Sequence, residues 1–198
     1  MNTASNYAFR EIGEDVTIFD PVTIIRPEVI TLGSHVMLSE FVYLAGGQGT
    51  YLGSFIHLAA HTAFSGGGLL IAEDFVGVAS GTRIVTGTDN VMGEGIPSPM
   101  VPAEFRAYTR SYVILRKHAF LATNVVVQPG VIIGEGTVVG SGSVVTKDLE
   151  PWGVYMGSPA RRVKDRPMGR IPELEAELMR KHPYQPADFS DLIAQCRK

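Results

Sequence analysis

From Leu115 onward, aliphatic side chains fall at every sixth position: Leu115, Leu121, Val127, Ile133, Val139 and Val145. An α-helix brings apolar residues round near every 3.6 positions and a half-buried strand every second one, so neither keeps a strict six over five steps. Small and turn-forming residues stand between, as in Val127-Gln128-Pro129-Gly130-Val131-Ile132 and Ile133-Gly134-Glu135-Gly136-Thr137-Val138. Each hexad reads as one short strand and one corner. Three hexads are expected to close a triangular turn with the aliphatic residue on the axis, and successive turns to stack by parallel pairing. A fixed period of this kind is the signature of a solenoid.

The register runs back toward the N-terminus with slips through Ile12, Ile18, Ile24, then Leu32, Leu38, Leu44, then Leu52, Leu58, Phe64, then Ile71, Val78, Ile84, giving about six turns. Gly33, Gly53, Gly134 and Gly140 fit corners that require positive φ. Two segments break the pattern. Between Gly87 and Arg110 the hexads vanish and Pro97, Pro99 and Pro102 appear, so this stretch is expected to leave the prism as a loop, the usual carrier of function on a rigid scaffold. After Pro159 the repeat ends; Ile171 to His182, with Leu174, Leu178 and Met179 among charges, predicts an amphipathic helix capping the last turn, and Asp188 to Gln195 a second short one. The chain thus divides into an all-β solenoid, residues 1–166, with an arm at about 87–110, and a helical cap, 167–198.

Composition narrows the partners. A net charge of −3 across 198 residues gathers no nucleic acid, so an anionic ligand must meet a local basic cluster. One cysteine, Cys196, permits no internal disulfide and no thiolate metal site, which favours a reducing compartment. Met1 to Arg10 has no long apolar run and no segment approaches the roughly 20 apolar residues of a membrane span. A cytoplasmic protein without membrane insertion is expected.

The hexads, the arm, and the ending Val144-Val145-Thr146-Lys147-Asp148 followed by Gly157-Ser158-Pro159-Ala160-Arg161 together resemble the hexapeptide-repeat acyltransferases over about residues 10–166. The resemblance implies a left-handed parallel β-helix, a homotrimer with clefts between subunits, and acetyl-CoA or another acyl-CoA as co-substrate. It implies a coenzyme A groove around Ala122, Gly140, Ser141 and Lys147. Lys147, Arg161, Arg162 and Lys164 form a local cationic end suited to the nucleotide phosphates.

Sugar O-acetyltransferases of this family place a histidine at the start of the arm, because a hydroxyl must lose a proton as it attacks the thioester. Here the stretch reads Val85-Thr86-Gly87-Thr88-Asp89-Asn90-Val91-Met92-Gly93-Glu94, without one. An amine is easier to activate, and a carboxylate beside it suffices to orient it and relay its proton. Asp89 and Glu94 are therefore the catalytic candidates. The pattern is similar to the subgroup that N-acylates nucleotide-linked amino-dideoxy sugars, such as dTDP-4-amino-4,6-dideoxyglucose, for surface polysaccharides including O-antigen. The rival reading is O-acetylation with a histidine from elsewhere, His61 being the candidate, beside Gly66-Gly67-Gly68. A third is a β-helix that is no transferase, either a carbonic-anhydrase-like chain or a structural prism. His57 and His61 share a short spacing without a third ligand, so no metal is expected. Trp152 and Tyr155 are expected to pack over the last turn, the alternative being that they stack on the adenine of coenzyme A.

Overall fold

The computed structural model describes residues 2–3 and 7–196. Three parallel sheets form the faces of a prism, a left-handed β-helix of about 7 turns. The first face runs Glu11–Ile12, Ile30–Leu32, Gly49–Leu52, Leu69–Ala72, Tyr112–Leu115, Val131–Ile133. The second carries Thr17–Ile18, Val36–Leu38, Ile56–Leu58, Gly77–Val78, Phe120–Leu121, Val138–Val139 and Gly153–Met156; the third ends on Val126–Val127 and Val144–Val145. The six predicted axial residues from Leu115 to Val145 are all fully buried. Ile12 is not, being 45% exposed on the first turn, which has no turn beneath it.

The slips have a simple origin. Leu32 pairs with Leu52 and Leu52 with Ala72, so the early turns take twenty residues, whereas Leu115 pairs with Ile133, eighteen. The extra pair sits at the corner of residues 45–48 and again at 65–68. It shifts the axis from the predicted Ile71 to Leu70 and Ala72, leaving Ile71 buried in an outer cluster with Ile114, Ile132 and Ile193.

The corner glycines also differ from expectation. Gly33, Gly53, Gly134 and Gly140 do not have positive φ. A Cβ on Gly33 would lie 2.5 Å from the Gly53 carbonyl oxygen, and one on Gly53 2.4 Å from Asp74 Oδ1, so close approach of the next turn selects glycine there. Positive φ falls instead on bulky residues in a column: His35, Phe55, Phe75, His118 and Trp152. Each such residue costs on the order of 1 kcal/mol or more. Stacked turns place equivalent corners one strand spacing apart, so the rings stack: His35 on Phe55 at 4.5 Å, Phe55 on Phe75 at 5.2 Å, Phe75 on His118 at 5.0 Å. That stacking and burial offset the strain.

Two helices follow, α1 (Ile171–Lys181) and α2 (Ser190–Cys196). They lie along the flank rather than over the last turn, whose edge is instead paired by the antiparallel strand Arg161–Asp165. Ile171, Leu174 and Leu178 of α1 face Phe75 and His118. Ile193 of α2 packs on Ile71, Ile114 and Ile132. Between the helices, buried Asp74 accepts hydrogen bonds from the backbone N–H groups of Ser54 (2.7 Å) and Ala187 (3.3 Å). Trp152 packs on Gly136, and buried Tyr155 hydrogen-bonds Glu150, as expected of packing residues.

Glu175 clasps α1 to the coil. It meets Lys117 and lies 2.8 Å from His118 Nε2. Burial works to raise its carboxyl, but the hydrogen bonds and charges of Lys117 and His118 outweigh it and hold the group below its ordinary value. The ionised clasp is therefore complete above the ordinary carboxylate value and is lost as pH falls through the lowered one. Glu175→Ala should weaken docking by about 2 kcal/mol. Trypsin cleavage at Arg180 and Lys181 at neutral pH should accelerate roughly 30-fold, with far-ultraviolet circular dichroism still that of a β-protein; an unchanged cleavage rate would show that apolar contacts alone hold the helix.

Candidate active site

The arm begins and ends on one residue pair. Gly87–Asp89 pairs antiparallel with Tyr108–Arg110, Gly87 opposite Arg110 and Asp89 opposite Tyr108. Glycine is needed at its root: a Cβ on Gly87 would meet the Gly66 oxygen at 2.5 Å, and Gly66 itself has φ +100. Thr86 fastens the root to the solenoid, its N–H and Oγ1–H both donating to Ser65 O while Oγ1 accepts from Gly68 N.

Between root and arm lies a cavity of about 400 Å³, lined by Gly66, Gly87, Thr88, Asp89, Ala103, Arg106, Tyr108, Thr109 and Arg110. Asp89 is largely buried in its wall, and Arg106 Nη2 donates to its Oδ1 at 2.7 Å. Among the described residues Asp89 Oδ2 has no hydrogen-bond partner. The guanidinium groups of Arg106 and Arg110 lie 5.4 and 5.1 Å from the Tyr108 ring. Two arginines against one aspartate leave the lining cationic.

Glu94 stays outside this lining. It is exposed and accepts from Asn90 Nδ2 at 2.7 Å, folding the arm's outer turn on itself. His61 occupies a different corner, with φ 63, stacked on Phe41 at 4.8 Å, its carbonyl accepting from Arg83. His57 faces outward from the second face and meets Ser39 Oγ at 3.0 Å. Within one chain no histidine lines the cavity. A separate cavity of about 620 Å³ lies between α2 and the last turns, among Arg116, Glu135, Asp148 and Glu150. It is larger, but none of its lining carboxylates is ion-paired to a lining arginine as Asp89 is to Arg106, so the arm cavity is the better candidate reaction site.

The residues expected to form the coenzyme A groove lie beside the second face. Ala122 N donates to Val139 O and Gly140 N to Tyr155 O, which stacks Ala122 and Gly140 on successive turns, with exposed Ser141 beside them. Arg161 pairs with Met156, which packs on Gly140. Lys147 and Arg161 are exposed, whereas Arg162 is engaged by Asp165 at 2.9 Å and Tyr155 Oη at 3.2 Å. Arg106, Tyr108 and Arg110 were not among the candidates. Their alternation on the extended segment that leads into the strand Tyr108–Arg110 is the signal that marks them, since a period of two puts all three on one side. No group of three or more His, Cys, Asp or Glu among the described residues is arranged to hold a metal ion, and none of their helices is long and apolar enough to cross a membrane.

Comparison with known proteins gives this geometry a context. The family described as "Bacterial transferase hexapeptide (six repeats)" matches residues 112–147. The dTDP-4-amino-4,6-dideoxy-D-glucose acyltransferase of Escherichia coli is 30% identical over 169 residues, 85% of this chain and 88% of the relative. The N-acyltransferase AntD of Bacillus cereus, solved as a variant with dTDP-4-amino-4,6-dideoxyglucose and coenzyme A, superposes with a TM-score of 0.83 at 32% identity, covering 89% of this chain and 94% of AntD. AntD with dTDP and 3-hydroxybutyryl-CoA gives the same TM-score and identity. On this similarity the chain belongs to the hexapeptide-repeat acyltransferases, in the group of the dTDP-4-amino-4,6-dideoxyglucose acyltransferases.

Proposed function

We propose that the protein transfers an acyl group from coenzyme A to the amino group of a nucleotide-linked amino-dideoxy sugar of the dTDP-4-amino-4,6-dideoxyglucose type. The observation that carries this reading is Asp89, a carboxylate fixed in the wall of a cavity without a histidine, with one oxygen free. The amine nitrogen attacks the thioester carbonyl and forms the C–N bond; the C–S bond breaks, and the nitrogen's excess proton passes to Asp89 Oδ2 and on to the departing thiolate. Products are the amide and free coenzyme A. Asp89 need only orient the amine and hold a proton briefly, because an amine with a pKa of about 8 has a usable neutral fraction near pH 7. Glu94 acts from the arm's outer turn as a substrate contact. The cationic lining offers counter-charge to the diphosphate of the nucleotide.

Coenzyme A lies along Ala122, Gly140 and Ser141, with Lys147, Arg161 and Arg162 toward its phosphates. The protein works as a cytoplasmic homotrimer, supplying acylated sugar for a surface polysaccharide such as O-antigen. Free-thiol release from acetyl-CoA, measured against dTDP- and UDP-linked amino sugars and their hydroxyl analogues, tests the reaction; turnover of the hydroxyl analogues alone would overturn it. Lys147→Ala combined with Arg161→Ala should raise the acyl-CoA KM about tenfold with kcat little changed, and added salt should do the same to the natural enzyme. An unchanged KM would move the nucleotide site elsewhere.

A further inference from the structure

Arg106 is held too deliberately for a surface arginine. It follows the single helical turn Ala103–Phe105, where its N–H donates to Ala103 O at 3.1 Å, and from there its guanidinium reaches across the arm to Asp89. Both side chains are about four-fifths buried. Tyr108 covers the guanidinium at 5.4 Å. One N–H is thus used on Asp89 Oδ1, and yet Nε is buried with no partner, alone among the described residues' side-chain nitrogens and oxygens. A buried N–H of this kind costs about 1–3 kcal/mol when left unmet, a cost the fold bears to hold the guanidinium between Asp89 and Tyr108. Arg106 lines the same cavity as Asp89 Oδ2.

We propose that Arg106 is a positioning residue for acyl transfer: one N–H fixes the Asp89 carboxylate so that Oδ2 faces the amine, and the remaining Nη–H groups, on the side of the guanidinium that lines the cavity, donate to an oxygen of the bound sugar nucleotide. The inference rests on the reaction proposed above. Fixing the carboxylate matters because a misplacement of about 1 Å can cost on the order of 10²-fold in rate. Lysine keeps the charge at Asp89 but has no second donor in a fixed fork, so it separates the two roles.

The test is steady-state thiol release with acetyl-CoA and dTDP-4-amino-4,6-dideoxyglucose for Arg106→Gln, Arg106→Lys and the Asp89→Asn/Arg106→Gln pair, with thermal unfolding alongside. Arg106→Gln should lower kcat roughly 10- to 100-fold. The double variant should be no slower than Asp89→Asn alone, because Arg106 acts on kcat through Asp89. Arg106→Lys should recover much of kcat while the amino-sugar KM stays raised severalfold and the acetyl-CoA KM is unchanged. Wild-type kcat and KM in both single variants would overturn the proposal, as would losses that multiply in the double variant. If Arg106→Gln does not fold, Arg106→Lys carries the test through its KM split. A wild-type enzyme that releases no thiol with any amino sugar would remove the acceptor reading and this role with it; an active wild type with indifferent variants removes only the role.

Discussion

Replacing Asp89 with asparagine is expected to lower kcat/KM by roughly 10²-fold or more, the scale of a positioned proton transfer. That corresponds to about 2.7 kcal/mol of lost transition-state stabilisation. The substitution is nearly isosteric. Asparagine retains an acceptor for Arg106, and the backbone pairing of position 89 with Tyr108 is untouched, so the arm should keep its shape. What disappears is the charge and the ability to take the nitrogen's proton. The loss should fall on kcat more than on the amino-sugar KM. Glu94→Gln should cost less, because Glu94 is exposed and bonded to Asn90 away from the cavity. His61→Asn discriminates the rival chemistry, being tolerated with an amine acceptor and ruinous if a hydroxyl is acylated. Near-normal turnover in Asp89→Asn together with collapse in His61→Asn on a hydroxyl acceptor would reverse the assignment to O-acetylation.

The solenoid was legible because its hexads are strict from Leu115 to Val145, where each turn takes eighteen residues; only the closing turn, Val139 to Tyr155, is shorter at sixteen. Before the arm, turns of twenty hide the axis: in Leu70-Ile71-Ala72 three apolar residues compete for it, and burial alone does not tell which faces inward. The same ambiguity runs through Val113-Ile114-Leu115 and Val131-Ile132-Ile133. Read together, the three middle isoleucines fall on one outer face and call for a cover, which α2 supplies through Ile193. The helices were legible as helices, but their seat was not. Nor was the aromatic column foreseeable from local preference, which assigns positive φ to glycine, asparagine and aspartate. Stacking between turns, a tertiary effect, reverses that preference at Phe55 and Phe75. Asp89 stood out by the missing histidine. Its partner Arg106 did not, because the pair spans the whole arm and only the antiparallel register of its root brings the two together.

Phe64→Ala should cost about 3–5 kcal/mol, the range for emptying a buried aromatic site. Phe64 is 2% exposed on the axis and is among the largest fully buried side chains. Its neighbours in the column are Leu44 below and Ile84 above. A parallel ladder holds the backbone on both sides, so the turn is not free to collapse into the space. In a solenoid each turn touches only its neighbours, and the damage should therefore stay local: hydrogen exchange should quicken in residues 43–45, 63–65 and 83–85 and remain slow in 131–145. Phe64→Leu, which keeps most of the volume, should cost less than about 1.5 kcal/mol. The change also bears on catalysis. Ser65 and Gly66 follow directly, Ser65 O anchors Thr86, and Gly66 abuts Gly87 at the root of the arm. A shift of that strand moves the wall opposite Asp89, so kcat in Phe64→Ala should drop even at temperatures where the protein remains folded. Denaturant unfolding and thiol release on the same samples decide it: lost stability with full turnover would show that the arm is positioned independently of the turn beneath it.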